Sequence, residues 1–205
     1  MAKNDVEGYL NELRGFADDA KDMDLYSLKK ELIILSESSH VFDNFEKESM
    51  SIGKEELSQM QNLSSLMKMR NLAREINNKK AINDKLHSLH FSLNLLKNTN
   101  DIKPIKNALN LFLYSNDTKI GSIVNELNDF NHNISQIKKH HENLLPKSLD
   151  NKLRIENKYD KHMEKLHSIH ARQKNALISL VGLFLKLAKK CVKNLKKAIA
   201  NQSRK

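Results

Sequence analysis

From Tyr159 to Cys191 one set of side chains returns every three or four residues: Tyr159, Met163, Leu166, His170, Gln173, Leu177, Leu180, Phe184, Leu187 and Cys191. Positions three and four apart lie over one another on a helix, so the set makes a single seam, and a seam of this length calls for a partner along all of it. No proline falls between Pro146 and Lys205, and Gly182 is the one glycine there. The pattern predicts a single helix over 147–201. At 1.5 Å per residue, that helix runs roughly 80 Å, against a diameter of about 45 Å for a compact globule of this chain length. An elongated, rod-like molecule follows, with Gly182 the natural place for a bend if there is one.

The rest of the chain reads the same way. Five glycines and two prolines in 205 residues are too few to punctuate a many-stranded protein. Breaks are expected at Asp22-Met23-Asp24, at Ser49 to Gly53, at Asn98 to Asp101 ahead of Pro104, at Ser115 to Thr118 and at Pro146. Between them lie predicted helices over 4–21, 24–48, 54–97, 103–115 and 118–145. Leu25, Leu28, Leu32, Leu35 and Phe42 share a face of the second, and Ile82, Leu86, Leu89, Leu93 and Leu96 step by four and three along the third. No alternating strand pattern and no internal repeat is visible. The expected fold is an all-α helical bundle or coiled coil, one domain over 1–205: an acidic helical hairpin over 1–50, central helices over 54–145, and a long basic helix over 147–205. The heptad seams suggest self-association as a homo-oligomer.

A lone cysteine, Cys191, excludes an intrachain disulfide framework and a multi-thiolate zinc site. The first residues, Met1-Ala2-Lys3-Asn4-Asp5, hold no apolar leader segment. The longest apolar stretch, Ala176 to Leu187, is interrupted by Ser179, Gly182 and Lys186 and falls short of the roughly 20 residues a bilayer span needs. A cytoplasmic, membrane-peripheral protein is expected.

Charge is sorted along the chain. Residues 1–60 carry 7 basic and 14 acidic groups, 61–145 carry 12 and 7, and 146–205 carry 16 and 4. After Glu164 no acidic residue follows, while eleven Lys or Arg do. Lys186, Lys189, Lys190, Lys193, Lys196 and Lys197 recur on one helical face, with Leu180, Phe184, Leu187, Cys191 and Leu195 opposite. Such a helix can lie on an anionic membrane, its apolar stripe at the headgroups and its lysines on phosphates. The runner-up is sequence-independent binding to nucleic-acid phosphates. Lysine heavily outnumbers arginine there and no aromatic residue is interleaved to stack on bases, which leans against that reading. An acidic protein partner, or the chain's own acidic N-terminal part, would satisfy the same charge. The plainest explanation is a solvated lysine face whose apolar side packs in the bundle, helped by the macrodipole at a helix C-terminus.

Glu37 and His40, and again Glu164 and His167, spell Glu-x-x-His, the ligand pair that carboxylate-bridged bundles use twice over, with one more Glu from each remaining helix. Glu7 or Glu12, with Glu126, would complete such a di-metal enzyme site. With 13 Glu and 9 His, matches of this kind arise by chance, and both motifs flank the apolar seams rather than sit on them. His87 with His90, His167 with His170 and adjacent His140 and His141 could each share a metal, but none has a cluster of Cys, Asp or Glu near it at ligand spacing. His170 lies on the seam, where a polar residue commonly sets register. Cys191 reads as a small hydrophobe. Met60, Met67 and Met69 read as core rather than as an adaptable partner surface. No phosphate loop or nucleophile motif is present, so the expectation is a non-catalytic scaffold or adaptor without a cofactor.

Overall fold

A computed structural model describes residues 24–35, 44, 47, 50–51, 54, 63–99, 101–115, 119–143 and 149–203. The described residues are all-α and contain no strand. α1 covers 25–35, α2 Leu63–Lys97, α3 Ile102–Leu109, α4 Ile120–Asn128, α5 Phe130–Glu142 and α6 Leu149–Gln202, the last 54 residues long. No helix among them is long and apolar enough to cross a membrane.

Local chemistry sets the ends. Asp24 caps α1 through its carboxylate, which accepts from the Ser27 amide at 2.6 Å and is held below the ordinary aspartate range by that bond. Asp101 caps α3 by accepting from the Lys103 amide at 3.3 Å. Pro104, three residues after the cap, is harmless, because first-turn amides have no helical partner to lose. α3 then widens into a π-turn over Asn110–Tyr114, where the Ser115 amide reaches back to the Asn110 carbonyl at 2.8 Å, and Ser115 turns extended to end it. The helix expected over 118–145 is two, α4 and α5, yet the hydrogen-bond ladder passes through the junction: Asp129 N–H donates to Asn125 and Asn133 N–H to Asp129. At the break expected between Ser49 and Gly53, positions 50 and 51 are helical.

The chain divides into two compact units, each assembled from separated segments: 1–33, 84–123 and 173–205 form one, 34–83 and 124–172 the other. The first unit buries Leu28 and Leu32 of α1, Leu86, Leu89, Leu93 and Leu96 of α2, Ile105 and Phe112, and Leu177, Leu180, Phe184 and Cys191 of α6. Phe112 and Phe184 stack with ring centroids 4.4 Å apart. The Cys191 thiol donates to the Thr99 carbonyl at 3.2 Å and lies 3.8 Å from that of Leu96, so α6 passes the end of α2 there.

The second unit has a three-helix core: Leu72 and Ile76 of α2, Phe130, Ile134 and Ile137 of α5, and Tyr159, Met163, Leu166 and Ile169 of α6. Each such side chain contributes roughly 1.5–3 kcal/mol by leaving water. Within this unit Lys68 meets Tyr159 and Lys79 meets His170, a constant offset of 91, so α2 and α6 run parallel. Lys79 meets Phe130 and Lys68 meets His141, so α5 runs antiparallel to both. Asn83, buried, donates to the Leu35 carbonyl at 2.9 Å and so ties α2 to α1. Both seams read from the sequence are thus buried or half-buried within one copy of the chain.

Candidate anionic-surface interface

The cationic face is built by helical periodicity on the last five turns of α6. At 100° per residue Lys186, Lys189, Lys190, Lys193, Lys196 and Lys197 fall within an arc of about 120° and span roughly 16 Å along the axis. All six are exposed. The opposite arc holds Leu180, Phe184 and Cys191, buried at 0%, 0% and 2% exposure, with Leu187 half-buried. The Leu195 side chain lies outside the described residues. The apolar stripe that a membrane reading would insert among headgroups is therefore core up to Cys191, with Phe184 committed to Phe112 and Cys191 to the carbonyls at the end of α2. What the helix offers outward is charge. Beyond Leu195 the helix is exposed on every side through Ser203, and there Ile199 is 63% exposed.

Cys191 sits beneath this face and its thiol is pushed up by burial, against the pull of Lys190. A protonated, donating thiol is a poor nucleophile, so the residue packs rather than reacts.

The metal-binding alternative fares differently. Glu37 and His40 lie outside the described residues, as do Glu7 and Glu12. Glu164 and His167 are exposed. His167 sets its ring edge against Phe130, centroids 5.1 Å apart, from the outside of the core. Ligands of a bundle di-metal site must converge inward, and these two do not, because they flank the seam residues Met163 and Leu166 instead of occupying it. Among the described residues no three His, Cys, Asp or Glu come together as a metal site. His87 and His90 are half-buried with both Nε2 atoms sheltered and unpartnered; burial first, then His87 and Lys29, holds the His90 imidazolium below the usual histidine range. Met67 and Met69 are half-buried.

Sequence reasoning missed the buried polar stripe of α2. Ser65, Lys68, Asn71, Glu75, Lys79 and Asn83 all face inward, Lys79 at 0% exposure. The Lys79 ammonium lies 3.5 Å from Glu75 Oε1 and 3.0 Å from His170 Nδ1, and 4.3 Å above the Phe130 ring. An ammonium has only protons to give, so Nδ1 accepts and the ring proton sits on Nε2. Glu75 Oε2 accepts from Asn133 at 2.7 Å and from Asn78 at 3.5 Å. Burial pulls the Lys79 ammonium below the ordinary lysine range, while Glu75 and Glu126 oppose it. The signal was present: Lys68, Asn71, Glu75, Lys79 and Asn83 keep the same three-and-four spacing as an apolar seam, but in residue types normally read as solvent-facing.

No known protein family, curated protein or solved structure matches this chain.

Proposed function

We propose that this chain is a non-catalytic helical scaffold that docks peripherally on an anionic membrane surface through Lys186, Lys189, Lys190, Lys193, Lys196 and Lys197. The observation that carries the reading is the exposure of all six on one narrow arc of a helix whose opposite arc is anchored in the protein's own core. The anchoring alters the mechanism expected from sequence. Contact is electrostatic, with lysines as point charges over lipid phosphates, and insertion is confined to the solvated end around Ile199. Each lysine near such a surface contributes about 1 kcal/mol, and the effect fades within a Debye length of about 10 Å at 0.1 M salt.

Sedimentation with phosphatidylcholine vesicles, with and without phosphatidylserine, tests this. Pelleting only with the anionic vesicles, released by added salt and abolished when the six lysines are changed to glutamine, is the expected result. Equal recovery with both vesicle types refutes it. Burial of Leu180, Phe184 and Cys191 also favours a second reading, sequence-independent binding to nucleic-acid phosphates, which needs no free apolar side. A fluorescence titration on duplex DNA separates the two, because phosphate binding weakens steeply as salt rises whatever the base sequence.

A further inference from the structure

Two layers of the second unit repeat one arrangement. In the first, Lys79 of α2, Phe130 of α5 and His170 of α6 meet: the ammonium lies 3.0 Å from His170 Nδ1 and 4.3 Å over the Phe130 ring, and His170 stacks on Phe130 at 4.1 Å and 11°. In the second, Lys68 of α2, His141 of α5 and Tyr159 of α6 meet: Lys68 Nζ lies 3.4 Å from His141 Nδ1 and 5.4 Å from the Tyr159 centroid, and His141 stacks on Tyr159 at 3.8 Å and 3°. On each helix the two members are eleven residues apart: 68 and 79, 130 and 141, 159 and 170. Eleven residues make just over three whole turns, so one face of each helix presents both layers. Between them lie the apolar side chains of Leu72, Ile76, Ile134, Ile137, Met163 and Leu166, and the same stretches of α2 and α6 also bury Asn71, Glu75 and His162. The histidine and the aromatic residue exchange helices from one layer to the other.

In both layers an imidazole lone pair receives an ammonium proton while its ring is pressed flat against an aromatic face. That geometry exists only while the imidazole is neutral. A second proton would go to Nδ1 itself, removing the acceptor and setting two cations within hydrogen-bond distance in a packed core. We propose that these two layers form an acid-sensitive latch, closed while His141 and His170 are neutral and opening the second unit when either takes up a proton.

The surroundings decide which layer yields first. His170 faces Lys79, which Glu75 neutralises at 3.5 Å and Glu126 of α4 assists, so the carboxylates of that layer offset part of an added charge. His141 faces Lys68 from α2, Tyr159 and Asp160 from α6, and has Glu142 next to it on its own helix. Burial and then Lys68 push His141 down to about 4, with Asp160 opposing. The direction of the linkage follows. A histidine lowered in the folded state leaves the unfolded chain binding the extra proton between its ordinary value near 6.5 and about 4, so stability is complete above that window and is lost as pH falls through it. For His141 alone, the opening equilibrium rises at most roughly 20-fold between about pH 7 and pH 5. This device is independent of the lysine face on α6.

The test uses the full chain. Imidazole NMR titration reads each histidine directly: His141 is expected to keep a neutral ring with an acceptor Nδ1 down to about pH 4, and titration near its ordinary value overturns the proposal. Hydrogen exchange, corrected for intrinsic rates, is expected to show amides of 130–142 and 159–170 losing protection between about pH 7 and pH 5. In His141→Asn, which keeps an acceptor beside Lys68 but does not titrate, that loss is expected to shrink to a few-fold. An unchanged pH response in that variant, or none in the parent chain, overturns the latch. Should the variant not fold, the NMR titration of the parent decides alone.

Discussion

Replacing Glu75 by Gln isolates the charge in the buried α2 network, because the two side chains have the same shape. Glu75 Oε1 stands 3.5 Å from the fully buried Lys79 ammonium. At an effective dielectric of about 20, two unit charges at that distance attract by roughly 5 kcal/mol before desolvation is counted. The glutamine keeps one oxygen for Asn133, now at 2.7 Å from Glu75 Oε2, but withdraws the nearest negative charge from a Lys79 ammonium that also meets His170 Nδ1 and the Phe130 face. Removing one member of a buried pair commonly costs 3–5 kcal/mol, and the retained hydrogen bond places Glu75→Gln near the lower end, about 3 kcal/mol. Lys79→Met, which strands the carboxylate, is expected to cost about as much. The double variant Glu75→Leu with Lys79→Met removes both charges and should return to within about 1 kcal/mol of the parent, or exceed it. Urea unfolding followed by far-ultraviolet circular dichroism reads all four proteins, with the slope checked for constancy. A loss under about 1 kcal/mol for Glu75→Gln, together with a double variant weaker than either single, would mean that water reaches this pair.

Further outcomes follow from other contacts. Phe184→Ala strips one face of the Phe112 stack and should cost about 3–5 kcal/mol in thermal or urea unfolding, most of it shared with Phe112→Ala in a double-mutant cycle. Tyr159→Phe removes a hydroxyl that is buried without a hydrogen-bond partner, so stability should hold or rise by up to about 1 kcal/mol; a clear loss would show a hidden partner. Burial first, then Asp160 and Glu142, pushes the Tyr159 phenol up to about 12. Spectrophotometric titration should show it ionising only near pH 12, and stability should fall as pH rises from the ordinary value of 10.0 through about 12, since only the unfolded chain has then lost the proton. Cys191 should react with a thiol reagent only as fast as the first unit opens, and rapid labelling under native conditions would refute its burial.

Sequence periodicity determined the helices, because each must bury a stripe and the stripe recurs at the helical period. Ile82, Leu86, Leu89, Leu93 and Leu96 are all buried to 1% exposure or less, and every member of the Tyr159–Cys191 seam is buried or half-buried. The end of α6 was equally legible, since the lysines need only 100° per residue to share a face, and all six are exposed. Tertiary structure alone decided what the other faces do. The strip opposite the lysines could have lain on a membrane or in a core with the same spacing, and Phe112 and the carbonyls of Leu96 and Thr99 settle that it is core. The inward turn of Lys68, Glu75 and Lys79 was hidden for a related reason. A charged residue is stable inside only when its partners arrive from elsewhere in the chain, and His141, His170, Phe130 and Asn133 stand 51 to 91 positions away from the α2 residues they meet. Spacing on one helix fixes which side chains travel together; which surface receives them depends on contacts that close over those distances.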